Sequence, residues 1–213
     1  MKNLLIVFLL FSSISAFGQE QNRVGSDPVL NPSRNVSLAS IEQIGSQNES
    51  EILQQVEGPG SNEALIMQQG EFNSGYLNQT GSRLNSQLTQ AGNSNSASLW
   101  LIGQNLSVFT TQNGLLNSIN AYVEAESVDG IAAKLSQEGN QNSIDLAIRN
   151  SASFNPGFEQ NIGISQFGNN HSVTALFEDL GAPVINITQN PGFGGAGMSL
   201  NVSTLPGFTF PNK

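Results

Sequence analysis

The sequence contains no cysteine, which excludes a disulfide framework and leaves no acyl site for a lipid anchor. Charged residues make up only 11% of the chain, so it lacks the high charge that is typical of solvated disorder. Basic residues are especially few, with 7 Lys and Arg against 16 Asp and Glu. This acidic balance argues against nucleic acid and anionic lipid surfaces as partners. Stability must therefore come from apolar burial and hydrogen bonds.

Groups that carry out chemistry are also scarce. The only histidine is His171, and an active site needs several converging reactive groups. The acidic pair Glu49 and Glu51 and the acids within 124–129 are interpreted as solvated charge that limits unwanted aggregation. The glycines do not follow the nonapeptide spacing of calcium-binding solenoids. The sequence thus predicts a protein that is not an enzyme, with no catalytic residue, no metal site and no cofactor.

Long apolar runs are absent after the first residues of the chain. Residues 1–18 are typical of a secretory signal peptide, with Lys2, an apolar stretch from Leu4 to Phe11 and a small-x-small cleavage site ending at Gly18. That stretch is too short to span a bilayer. Its removal takes Lys2 away and changes the formal net charge from −9 to −10. We therefore expect an exported chain without membrane insertion, in which residues 19–36 form an irregular leader.

Amide side chains are abundant instead, with 26 Asn and 18 Gln, and they recur in a motif, Gln-x-Gly-x-x-Asn, at steps of 22 to 29 residues. The motif glutamines are Gln43, Gln68, Gln90, Gln112, Gln137, Gln166 and Gln189. The motif glycines are Gly45, Gly70, Gly92, Gly114, Gly139 and Gly168. The motif asparagines are Asn48, Asn73, Asn95, Asn117 and Asn142. His171 occupies the Asn position of the sixth copy, and the seventh departs from the pattern at Pro191 and Gly192.

Apolar and polar residues alternate with a period of two between the motifs. One parity of the first segment reads Asn48, Ser50, Ile52 and Gln54, and the opposite parity is mostly polar along the chain. This alternation is typical of strands with one buried face. A subperiod of about 11 residues also suits a right-handed helical supercoil. The period of two, the regular glycines and the sparse helix formers argue against that helix.

Each repeat therefore contains two strands and two turns. The pattern predicts an all-β fold, a two-sheet β-solenoid of about seven strand-turn-strand-turn coils over residues 37–205, followed by a C-terminal tail, 206–213. The long connections 55–61, 124–130 and 149–159 all follow the same strand of the repeat. They should therefore lie on one edge of the solenoid.

Stacking of coils at about 4.8 Å would align the motif residues along the axis. The glutamines would form one amide ladder and the asparagines a second. Such partners are needed, because a buried unsatisfied amide costs about 1–3 kcal/mol. The motif glycine permits the positive φ of a tight turn. The end coils would expose unpaired strand edges, which are templates for another copy of the chain, and head-to-tail stacking that does not close gives a filament with cross-β order.

The run Ser37-x5-Gln43-x-Gly45-x2-Asn48-x-Ser50-x3-Gln54 resembles the curlin repeat, and the resemblance extends over residues 37–189. It implies export across the outer membrane of a Gram-negative bacterium by a dedicated pore. It also implies assembly into extracellular, curli-type amyloid fibres for biofilm matrix and adhesion, as a homopolymer with a nucleator subunit starting the fibre. The sequence departs from the family in its leader, which is not Gly-rich, and in the second Gln position, which becomes apolar from Leu101 onward.

Several alternatives stay open at the level of the sequence. The chain is either a major fibre subunit, which the full Gln ladder favours, or a nucleator or minor subunit, which degenerate C-terminal coils favour. A second class is a monomeric secreted β-solenoid that binds a ligand or surface such as a glycan or ice, for which only Thr89, Thr110 and Thr111 cluster weakly. A third class is a disordered amide-rich matrix segment, against which the strict alternation argues. Outward aromatics such as Tyr76 and Trp100 suit lateral fibre packing or simple exposure.

Overall fold

The fold was analysed in a computed structural model, which describes residues 37–125, 130–150, 160–177, 185–191 and 197–203. The described residues contain strands, turns and irregular segments but no helix. The signal peptide 1–18, the leader 19–36 and the tail 206–213 lie outside the described residues and remain predictions. Within these described segments, the structure has no helix that is long and apolar enough to cross a membrane.

The strands follow the repeat. They are β1 (Leu38–Ser46), β2 (Glu49–Val56), β3 (Glu63–Glu71), β4 (Ser74–Ser82), β5 (Asn85–Asn93), β6 (Ser96–Gln104), β7 (Leu106–Leu115), β8 (Ser118–Ala125), β9 (Ile131–Asn140), β10 (Ser143–Ile144), β11 (Arg149–Asn150), β12 (Gln160–Phe167), β13 (Ser172–Leu176), β14 (Ile185–Gln189) and β15 (Ser199–Ser203).

The strands form two parallel sheets, and successive strands of the chain belong to the two sheets in turn. Sheet A has the order β1-β3-β5-β7-β9-β12-β14, and sheet B has the order β15-β13-β10-β8-β6-β4-β2, with β11 pairing to β8. Each pair of successive strands, one per sheet, makes one coil, and we number the coils 1 (β1, β2) to 7 (β14, β15). The predicted all-β two-sheet solenoid is confirmed.

The core lies between the two sheets, and each sheet contributes one layer of inward side chains to it. Its members are the inward residues of every strand, such as Ile66, Leu88, Leu99 and Leu135, none of which is measurably exposed. The opposite parity faces outward, as in β3, where exposed or half-buried residues alternate with buried ones. The period of two in the sequence is therefore the inside-outside alternation of a pleated strand.

The turn from sheet A to sheet B, which we call the Gly turn, is the same in coils 1 to 6. The motif glycine has a φ between +108° and +125° in all six copies. Two residues later a non-glycine residue adopts the left-handed conformation, as in Phe72 (φ 58°) and Leu116 (φ 57°). The long connections, in contrast, all run from sheet B to sheet A, which is the single edge expected from the sequence. Coil 7 is the exception, since Gln189 and Ser199 are joined by a longer segment.

Candidate functional site: amide ladders and solenoid ends

The motif glutamines form a continuous chain of hydrogen bonds along the axis. Register aligns Gln43 with Gln68, and each later motif glutamine with the next. In each pair the side-chain Nε2 of the earlier glutamine donates to Oε1 of the later one, over 2.6 to 3.0 Å. All but Gln43 are buried. The structure thus brings the seven glutamines together as one ladder, Gln43, Gln68, Gln90, Gln112, Gln137, Gln166 and Gln189.

The second amide hydrogen of each ladder glutamine ties the two sheets together. From Gln68 onward, Nε2 also donates to the carbonyl of the first sheet-B residue of the preceding coil, over 2.9 to 3.1 Å. Gln112, for example, donates both to Gln137 and to the Ser96 carbonyl. A fully buried amide therefore has partners for both of its hydrogens and for its oxygen, which removes the penalty of burying it.

The motif asparagines join the Gly turns of neighbouring coils. Each Oδ1 accepts the backbone N–H at the same position of the next coil, over 2.9 to 3.1 Å. Each Nδ2 donates to the carbonyl of the motif glycine of the next coil, over 2.8 to 3.0 Å. The asparagines in this arrangement are Asn48, Asn73, Asn95, Asn117 and Asn142.

The motif glycines are required by close approach as well as by their positive φ. A Cβ placed on Gly92 would lie 2.0 Å from the carbonyl oxygen of Gly114, and the same contact recurs at 1.9 to 2.0 Å from Gly45 to Gly139. Because the obstructing atom is backbone, no side-chain motion relieves it. This contact is shared by Gly45, Gly70, Gly92, Gly114 and Gly139, whereas a Cβ on Gly168 would lie nearest to Nε2 of His171, at 3.0 Å, and to Pro191, at 3.2 Å.

The sequence-based prediction missed several asparagines whose side chains also join neighbouring coils. Asn62, in the other turn, repeats the asparagine arrangement by donating to the Gly81 carbonyl and accepting from the Leu84 N–H. The residue after the motif glycine is an asparagine in three coils, and its Oδ1 accepts a backbone N–H of the preceding coil. These residues are Asn93, Asn140 and Asn169. Their shared spacing from the glycine was the signal that could have identified them.

The second glutamine position forms only a short ladder. Gln54 donates to Gln79 over 2.8 Å, and Gln79 then donates to Ser86 and to the Glu63 carbonyl. From Leu101 onward the position is apolar and fully buried. Sheet B therefore exchanges an amide ladder for apolar packing after coil 2, while sheet A keeps its ladder throughout.

The outer faces and the reactive groups offer little chemistry. Trp100 stacks against Tyr76 in a tilted geometry with ring centroids 5.3 Å apart. Thr110 is 1% exposed and faces the core, so it does not form an outward threonine row with Thr89 and Thr111. No group of three or more His, Asp or Glu with metal-binding geometry occurs among the residues that the structure describes.

The two ends of the solenoid differ in charge. Coil 1 carries Glu42, Glu49 and Glu51 at its outer surface. The described residues of coils 6 and 7 contain no Asp, Glu, Lys or Arg. Both ends, however, leave inward apolar side chains only partly buried. These are Ile41 in coil 1, and Ile185, Ile187 and Val202 in coil 7.

Residues 61–92 match the family model of the curlin associated repeat. The matched segment contains one complete Gly turn, with Gln68, Gly70 and Asn73, and reaches the next motif glycine, Gly92. This chain carries the curlin associated repeat. The resemblance to the curlin repeat that the motif indicated is thereby confirmed for residues 61–92. No curated protein and no solved structure matches the chain. The curlin-type register seen in the matched segment continues into the coils on both sides of it.

Proposed function

We propose that the protein is a secreted structural subunit that stacks end to end into an extracellular, curli-like functional amyloid fibre. The observation that carries the proposal is the partial exposure of inward apolar side chains at both ends of the solenoid. Within the described residues, the inward apolar side chains that remain partly exposed belong to coils 1 and 7. A second copy that continues the stack would bury them, and apolar burial is the dominant favourable contribution to association.

The register of the coils extends across such a junction. If coil 7 of one copy took the place of a coil preceding coil 1 of the next, Gln189 would face Gln43 and Ile187 would face Ile41. The core would then continue without a break, and the two glutamines would stand in the register of the ladder. Contact between two N-terminal ends would instead oppose the glutamates of coil 1, and like charges directly opposite each other are destabilising. Head-to-tail stacking avoids this repulsion and is the arrangement in which the parallel register continues.

The family match supports the finer parts of the proposal. We infer that the chain is exported through an outer-membrane pore and acts at the surface of a Gram-negative bacterium, in biofilm matrix and adhesion. We assign it the major-subunit role because its Gln ladder has no gap. A nucleator or minor subunit is the alternative, favoured by the shorter strands and the altered turn of coil 7.

Incubation of the purified chain from Gln19 onward tests the proposal. Thioflavin T fluorescence should rise after a lag, circular dichroism should report β-structure, and fibre diffraction should show a meridional spacing of about 4.8 Å. A stable β-rich monomer at high concentration would contradict fibre formation and favour a ligand-binding solenoid. A chain that does not polymerise alone but shortens the lag of another subunit is a nucleator.

A matched pair of variants tests the end contacts. Ile41→Lys places a charge in the partly buried core of the end coil, whereas Ser40→Lys places the same charge on the exposed face of the same strand. We expect Ile41→Lys to remain folded by circular dichroism but to assemble at least about tenfold more slowly, because burying an unpaired charge is costly. Ser40→Lys should assemble like the wild type. Equal rates for the two variants would contradict end-to-end stacking through β1.

A further inference from the structure

His171 takes over the contacts of an asparagine in the sixth copy of the motif. It is 1% exposed, and its backbone N–H donates to Oδ1 of Asn142, as an asparagine would. Its Nε2 lies 2.8 Å from the Phe167 carbonyl, four residues earlier. The asparagines of other coils direct Nδ2 toward the same carbonyl position over 3.3 to 3.5 Å. On the other side of the ring, the backbone N–H of Met198 donates to Nδ1 over 3.1 Å.

These two partners determine the protonation of the ring. A backbone N–H can only donate, so Nδ1 must offer its lone pair to Met198. A carbonyl can only accept, so Nε2 must carry the hydrogen that Phe167 receives. The contacts are therefore satisfied only by the neutral imidazole with its hydrogen on Nε2. An asparagine has the same acceptor and donor but no accessible charged form.

The histidine fixes the backbone that closes the C-terminal end of the Gln ladder. Met198, held by His171, accepts hydrogen bonds at its carbonyl from the Ser172 N–H and from Nε2 of Gln189. In the other six coils this amide hydrogen goes to the next ladder glutamine. The donor that would extend the ladder into another copy is thus occupied within the chain. At the opposite end, no described residue donates to Oε1 of Gln43.

Within the described segments, no charged group near the ring competes with these contacts. The segments packed against His171 are the Gly turns 166–170 and 140–143 and the residues 189–191 and 197–199. They contain no Asp, Glu, Lys, Arg, Tyr or second His. The nearest acids along the neighbouring coil, Glu138 and Asp145, have exposed side chains. The only titratable side chain in these described segments is the imidazole itself.

We propose that His171 is a proton-controlled catch for the C-terminal coil: the neutral imidazole holds Met198, and protonation at Nδ1 releases Met198 and the adjoining β15. A hydrogen on Nδ1 would face the Met198 N–H across the present 3.1 Å contact, with two donors opposed and a cation buried. Imidazoles change charge between about pH 5 and 8. The catch therefore holds while the ring is neutral and opens when the ring takes up a proton at lower pH.

Release of the catch also frees the Gln189 amide, and this consequence rests on the proposed fibre function. Once the hydrogen bond to the Met198 carbonyl is broken, Nε2 of Gln189 has a hydrogen available for Oε1 of Gln43 in a second copy. Protonation would therefore free the C-terminal end of the sheet A ladder for growth. The effect on the single chain and the effect on assembly can be measured separately.

Hydrogen exchange of the dilute, unassembled chain tests the catch itself. We expect protection of the backbone amides of Met198 and β15 to fall at least about tenfold between pH 7.5 and pH 5.0, after correction for intrinsic exchange, because a satisfied buried contact becomes two opposed donors. Amides of coils 2 to 4 should keep their protection. Unchanged protection of Met198 and β15 would overturn the proposal.

The matched control is His171→Asn, which restores the motif residue. It should keep the fold and retain high protection of Met198 and β15 at both pH values, and an equal fall in this variant would overturn the proposal. Long-range proton–nitrogen NMR of the imidazole in the wild type at pH 7.5 gives a second readout. It should show hydrogen on Nε2 and a lone pair on Nδ1, and the opposite tautomer would contradict the assigned contacts.

Seeded elongation separates the catch from fibre formation. Wild-type seeds should elongate several-fold faster at pH 5.0 than at pH 7.5, relative to the same ratio for His171→Asn. Equal ratios combined with a pH-dependent loss of protection would show that the catch does not control growth. Absence of fibres from both proteins would refute the proposed function. The exchange data would still show whether His171 holds Met198 in a pH-dependent way.

Discussion

Replacement of Gln112 by leucine breaks the amide ladder at its centre with little change in side-chain volume. Three buried or half-buried polar groups lose a hydrogen-bond partner. They are the Nε2 amide of Gln90, Oε1 of Gln137 and the Ser96 carbonyl. Each costs about 1–3 kcal/mol if left unsatisfied. The glutamine neighbours keep their other hydrogen bonds, so we take the lower part of that range. The expected loss is about 3–5 kcal/mol, a large part of the 5–15 kcal/mol typical of a domain.

Urea unfolding followed by circular dichroism measures this loss, since the midpoint falls when stability falls at constant slope. Gln87→Leu is the matched control, because Gln87 lies half-buried on the outward face of β5. It should change the free energy of unfolding by no more than about 0.5 kcal/mol. Gln43→Leu should cost an intermediate amount, since Gln68 Oε1 keeps the Ser50 hydroxyl as a donor. If Gln112→Leu were no more destabilising than Gln87→Leu, the ladder would contribute no specific stability.

Two further substitutions test the turn and the core. Gly92→Ala should destabilise the solenoid by more than about 3 kcal/mol in thermal unfolding, because its Cβ would meet the Gly114 carbonyl at 2.0 Å at a φ of +108°. Gly58→Ala has a φ of +94°, but its new Cβ would make only an ordinary van der Waals contact, 3.8 Å from Oγ of Ser82. It should therefore lose only about 1–2 kcal/mol, and equal losses for the two variants would show that the close approach is unimportant. Thr110→Val should raise the free energy of unfolding by about 1 kcal/mol, because the buried Thr110 hydroxyl has no hydrogen-bond partner. The exposed Thr111→Val should be neutral, and a stability loss in Thr110→Val would contradict an unsatisfied hydroxyl.

The alignment of the glutamines was predictable because the spacing of the motif and the period of two leave a single register. A slip of one residue would turn Leu88 and Leu99 out of the core. The positive φ of Gly92 was equally predictable, since a tight turn that stacks on identical turns requires glycine.

The left-handed conformation of the residue two positions after each motif glycine was not predictable. Phe72 and Leu116 occupy that conformation although bulky residues disfavour it. The position accepts many residue types in this chain, so composition carries no signal for it. The backbone is held there instead by contacts between coils: the Phe72 N–H donates to the Ser46 carbonyl, and the Leu116 N–H to the Asn93 carbonyl. Such a conformation is a property of the stack and not of the local sequence.

Parallel stacking in register explains why the chain is rich in amides and poor in charge. An amide placed over an identical amide both donates and accepts, whereas a carboxylate placed over a carboxylate only repels. The described acids obey this distinction. Glu51 lies beside Tyr76, and Glu124 lies between Ile102 and Arg149. No acid in the paired strands has another acid as its register neighbour.

The same distinction applies to the proposed junction between two copies. Continuing the register would set Glu42 against Thr188, Glu49 against Ser199 and Glu51 against Asn201, so that each acid again meets an uncharged partner. A junction shifted by one residue would place the inward Ile187 opposite an outward residue of β1 and would break both the core and the Gln ladder. In such a junction, the rule that orders the coils within one chain would therefore also select the register between chains. The proposed stacking would then need no separate recognition element to add subunits in a single orientation.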